Sequence, residues 1–189
     1  MDVLGGLGVT GVVERVPVAL VDHHCHGVVA ADLDRFALED LLTESYFPPA
    51  AGTSTFDAPL GLAVRRWCAP VLDLPALAEP EAYVERRLEL GGAEVNRRLL
   101  RASGTGTLLV ETGYRPRDVV SPAALGELSG AEVREVVRVE AVAEQVREGV
   151  TSGRAFVEEL PGALAARASQ AVGLKTIVAY RGGFAFDPA

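Results

Sequence analysis

The 189-residue sequence has two cysteines, one lysine and one tryptophan, and no histidine after position 26. Cys25 and Cys68 supply neither a disulfide framework nor zinc-finger spacing, and they fit a reducing compartment in which thiols stay free. No uncharged apolar run of about 18 residues occurs, which excludes a transmembrane helix. The stretch Met1 to Gly11 is broken by glycines and has no cation before Arg15, unlike a secretory signal. A cytoplasmic protein is expected. Eighteen basic residues against 26 acidic ones give a net charge of −8, which argues against a nucleic-acid partner or an anionic membrane surface. No GxGxxG, Walker loop or GxSxG is present, so neither a nucleotide site nor a serine-hydrolase site is indicated.

Hydrophobic residues make up 49% of the chain, enough for one domain over residues 1–189 with a sizeable core. Residues 1–15 read as an N-terminal extension. Four segments read as buried strands: Val16 to His24, Gly106 to Thr112, Val133 to Val139 and Val172 to Tyr180. Helical patterns cover Ala31 to Glu44, Pro59 to Val71, Pro80 to Ala102, Pro122 to Leu128, Ala141 to Gly149 and Arg154 to Ser169. The Gly91-Gly92 pair predicts a break in the third, and Pro161-Gly162 a kink or split in the last. Tyr46 to Phe56 reads as a loop able to move over a site. Strands alternating with helices predict an α/β fold with parallel strands, carrying a helical insertion over residues 30–103 after the first strand.

All three histidines fall in VDHHCHG, at His23, His24 and His26. Alternation along a strand puts Asp22, His24 and His26 on one face. Two imidazoles so placed can chelate a divalent metal, with Asp22 supporting a ligand from behind or approaching the metal itself. The plainer reading is a polar cap on a strand end. Lys175, the single lysine, lies within the fourth strand, where an ammonium must pair, stay neutral or be modified. It either snorkels from a sheet edge or pairs with a carboxylate such as Glu140. Alternatively its neutral amine takes up carbon dioxide and becomes a carbamate able to bridge metals. Glu111 and Glu140, near strand ends, and Arg181, after the fourth strand, are candidates for binding a substrate or for plain rim salt bridges. Trp67 and Cys68 recur with Leu62 and Ala63 at helical spacing and are expected in the helix core. Asp187 is expected to be solvated.

Asp22-His23-His24-Cys25-His26 at a strand end, followed later by Lys175 in GLKTIVAYRGG, resembles the metal-dependent amidohydrolase superfamily, and more closely its amidohydrolase-related branch. The resemblance runs from about Val16 to Pro188. It implies a (β/α)8 barrel, with His24 and His26 as first-strand metal ligands and Lys175 as the fourth-strand lysine, carboxylated in binuclear members. It implies zinc as the metal, a small-molecule substrate, and hydrolysis of an amide or related bond, decarboxylation being the other reaction of this family.

Members of that family also take two histidines from the fifth and sixth strands and an aspartate from the eighth, and the sequence has no histidine after His26. The chain therefore reads as about four of eight barrel units, the N-terminal half of a TIM-type barrel. Two functions follow: a metal-dependent hydrolase incomplete as this chain, or a non-catalytic metal-binding or interaction module derived from half a barrel. In either case the open sheet edges are expected to favour self-association, with Leu20, Leu109 and Val137 on an unfilled inner face.

Overall fold

The computed structural model describes residues 20–185. The expected extension 1–15, the Val16–Ala19 part of the first expected strand and Asp187 lie outside the described residues.

Four strands form a single sheet: β1 (Leu20–Cys25), β2 (Thr105–Glu111), β3 (Glu132–Arg138) and β4 (Gly173–Lys175). They lie in sequence order and every neighbouring pair is parallel. Between β1 and β2 come α1 (Arg35–Leu41), α2 (Pro59–Trp67), α3 (Pro80–Leu90) and α4 (Gly92–Ala102). Helix α5 (Pro122–Ser129) links β2 to β3, and α6 (Val139–Gly149) with α7 (Gly153–Ala168) links β3 to β4. The edge strands β1 and β4 stand three strand spacings apart, about 14 Å along a flat sheet. Lys175 of β4 nevertheless reaches His24 of β1, nitrogen to nitrogen at 2.9 Å. The sheet is curled, and the α/β architecture is that of a partial barrel. No helix among the described residues is long and apolar enough to cross a membrane.

Period-two alternation divides β2 between two environments. Leu108 and Val110 point outward and pack with Leu125 of α5, Leu100 of α4 and Val133 of β3. Leu109 and Glu111 face the concave side, where both line a cleft. The segment between β1 and β2 has a core of its own, centred on Phe56, Leu72, Tyr83 and Val95. Phe56 and Tyr83 meet edge to face at 6.3 Å. Each such buried side chain contributes about 1.5–3 kcal/mol. Helix α4 serves both cores: Val95 and Leu99 pack into the first and Leu100 into the second.

Several expectations are corrected. The first helix is shorter than its apolar pattern, because the Asp34 carboxylate accepts from the Ala37 backbone N–H and caps it there. Gly91, at φ +77°, does split the third pattern into α3 and α4, and a side chain at Gly92 would strike the carbonyls of Ala30 and Ala31. Pro161 does not split α7, which runs through it as one helix. The Tyr46–Phe56 loop is anchored at its end, since Thr55–Asp57 forms a 3-10 turn and Phe56 is buried. Trp67 is 69% exposed, with Arg66 stacked on it, and is not core. Val137 is buried on the helix-covered side of β3 and not on an unfilled face.

Candidate functional site

The site gathers at the C-terminal ends of the strands. In β1, Asp22 pairs with Leu108 and Cys25 with Val110, so β1 uses three residues where β2 uses two. His23 and His24 together oppose Leu109, an extra residue of the kind that makes a β-bulge. Strict alternation is broken, and Asp22 does not share a face with His24 as expected. It follows Leu108 outward, while His23 and His24 both line the concave cleft. The Asp22 carboxylate instead accepts the His24 backbone N–H at 3.1 Å and fastens the irregularity. Cys25 also faces outward; its thiol donates to the Leu109 carbonyl at 3.5 Å, and burial, aided by the Asp22 charge, pushes it to about 11. A thiol so shifted stays protonated near neutral pH.

The rings of His24 and His26 lie 6.0 Å apart, edge to face. Lys175 is the last residue of β4, not its middle: the strand stops there and Val178–Tyr180 turns into a 3-10 helix. Its Nζ stands 2.9 Å from His24 Nε2. His23, His24, Leu109, Glu111, Val136 and Lys175 are among the residues lining a half-open cleft of about 340 Å³.

Glu111, expected to be a rim group, has a larger part. It is only 2% exposed. One oxygen accepts the Gly113 backbone N–H, and the other meets both the Arg138 guanidinium and His26 Nδ1, the latter at 3.2 Å. Tyr114, for which the sequence carries no signal, packs its ring 4.8 Å from that of His26.

Glu140 lies near the end of β3 as expected, two residues past it, in the first turn of α6. One oxygen accepts from the Thr176 hydroxyl and, at 2.9 Å, from the Ile177 backbone N–H, while the other is buried without a partner. These bonds pull the chain out of the ladder after Lys175 and end β4. Burial pushes the Glu140 carboxyl up. Hydrogen bonds from Thr176, its own backbone and Ile177, together with the Arg138 charge, outweigh that and hold it below the ordinary value. Arg181 follows the 3-10 turn and is exposed. Neither Glu140 nor Arg181 lines the cleft.

Two imidazoles 6.0 Å apart at a strand end are apt donors for a divalent metal, although His24 lines the concave cleft and His26 lines a separate cavity with Asp22 and Cys25. Among the described residues, however, no three of His, Cys, Asp and Glu are grouped to surround one. The donor set thus suits part of a metal site, with Lys175 the remaining group at hand.

No family model matches this chain, and no curated protein matches it. A solved structure from Lactobacillus casei, described as a "putative metal-dependent hydrolase", superposes with a TM-score of 0.59 at 25% identity over 86% of this chain. This chain spans 43% of the length of that protein. The likeness supports a metal-dependent-hydrolase-like fold.

Proposed function

We propose that this chain carries the first-strand and fourth-strand groups of a metal-dependent hydrolase of the amidohydrolase type. His24 and His26 would hold a zinc ion, and Lys175, carboxylated, would supply the third donor. The observation that carries this reading is the 2.9 Å approach of Lys175 Nζ to His24 Nε2 across the curled sheet, with His26 on the same rim. A zinc ion so held supplies a polarised substrate carbonyl or a water acidic enough to attack one. The chain's own part is positional. Asp22 fixes the backbone that presents His24, Glu111 holds His26, and Leu109 and Val136 give the cleft an apolar floor. Hydrolysis of an amide or related bond of a small molecule is the proposed reaction of a complete site. The shortage of donors favours a second reading for the chain alone, a metal-binding module without turnover.

Zinc titration of the metal-free protein against a competing chelator tests this. One weakly held zinc, easily stripped, is expected, with His24→Ala and His26→Ala each weakening it at least tenfold. A protein that binds no zinc sinks the reading. No turnover is expected of the purified chain; steady hydrolysis of a lactone or amide, lost in His24→Ala, would show the donor argument to be wrong.

A further inference from the structure

We propose that Glu111 is a positioning residue for His26. It fixes the proton of that imidazole on Nδ1, so that Nε2 keeps its lone pair turned away from β2. This rests on the metal-binding reading above for its purpose, but not for its geometry.

His26 Nδ1 faces two acceptors at once: Glu111 Oε2 at 3.2 Å and the Glu111 backbone carbonyl at 3.4 Å. A carbonyl accepts only, and so does an ionised carboxylate. Arg138 pairs with the same carboxylate oxygen. A buried carboxylate flanked by a guanidinium and bonded to a backbone N–H is compensated in its charged form. With acceptors alone around Nδ1, the neutral ring must carry its hydrogen there, which leaves Nε2 as a ligand atom.

The carboxylate itself has little freedom. An added Cβ at Gly113 would lie 2.7 Å from Glu111 Oε1, 2.8 Å from the Arg138 Cβ and 3.0 Å from the Ala141 Cβ. A side chain at position 113 would therefore force Glu111, Arg138 or Ala141 to shift. Tyr114 closes the other side of the ring, 4.8 Å from His26 and 5.9 Å below the Arg138 guanidinium. Among the described residues His24 has no such carboxylate on its ring: its Nε2 meets Lys175. The two histidines are held by different means, His26 by a buried anion and His24 by the opposite edge of the sheet.

The test is nitrogen-resolved NMR of the histidine side chains in the metal-free 189-residue protein, at a pH of about 8, above the ordinary histidine range. Wild type should show His26 protonated on Nδ1. Glu111→Ala, which leaves only the backbone carbonyl beside Nδ1, should weaken that preference while the His24 signals stay in place. Zinc affinity should fall about 10- to 100-fold in the variant, the range for loss of a group that orients a ligand. His26 protonated on Nε2 in wild type overturns the proposal and needs no variant to fold. A Glu111→Ala protein with an unchanged His26 tautomer also overturns it. Absence of zinc binding by wild type overturns the proposed function instead, because the tautomer is read without metal.

Discussion

Lys175 Nζ and His24 Nε2 lie 2.9 Å apart although their strands are not paired with each other and form opposite edges of the described sheet. The contact depends on curl, and it sets Lys175 beside a proposed ligand. A free ammonium there would repel a bound cation. Attack of its neutral amine on carbon dioxide, with loss of one proton, would replace that positive charge with a carboxylate. Zinc affinity of wild type should therefore rise at least tenfold with added bicarbonate, about 1.4 kcal/mol. Lys175→Ala should show no bicarbonate effect. Equal responses from the two proteins, in isothermal titration, would remove the carbamate from the site.

Gly113→Ala should lower stability by about 1–3 kcal/mol, the usual cost of overfilling a packed space, because three atoms already crowd the new methyl. Urea unfolding measures it. Gly149→Ala, where nothing lies within 4 Å of the added carbon, is the control. A Gly113→Ala midpoint equal to that of the control would mean that the Glu111 cradle is not tight.

Glu140 gives a pH signature. Its carboxyl lies below the ordinary value in the folded protein, so its contribution is complete above the unfolded value of about 4.3. It is lost as pH falls through the depressed folded value. The stability gap between wild type and Glu140→Gln should be widest near neutral pH and shrink below about 4.3. A gap independent of pH, in unfolding curves taken across that range, would exclude this linkage.

The edges of the sheet predict association. Val21 on β1 is 57% exposed and Leu174 on β4 is 53% exposed, and neither strand has an outer partner among the described residues. Sedimentation velocity should show concentration-dependent dimers. Val21→Lys should shift the protein towards monomer, as an edge charge does. A wild type that stays monomeric at every concentration would count against edge pairing.

The parts of the fold legible in the sequence were those written by local pattern. Apolar density marked β2 and β3, Gly91 marked the break between α3 and α4, and the HxH spacing marked the end of β1. What stayed hidden depended on partners distant in sequence. The extra residue at His23–His24 exists only relative to Leu109, so alternation alone misplaced Asp22. The end of β4 is decided by Glu140, 36 residues before Thr176. The burial of Glu111 depends on Arg138, 27 residues away. Trp67 fits a helical stripe, but among the described residues no neighbouring element covers that side of α2.

One junction has a mechanical consequence. Strand β3 ends at Arg138 and α6 begins at Val139, with no loop between them. Arg138 reaches back to Glu111 behind His26, and Glu140 reaches forward to the turn behind Lys175. A stiff joint three residues long thus ties Glu111 of β2 to the turn after β4. A single residue inserted after Arg138 would swing Glu140 about 100° around the α6 axis while Arg138 kept its hold. The spacing of these two attachments is set by a chain length, Arg138 to Glu140.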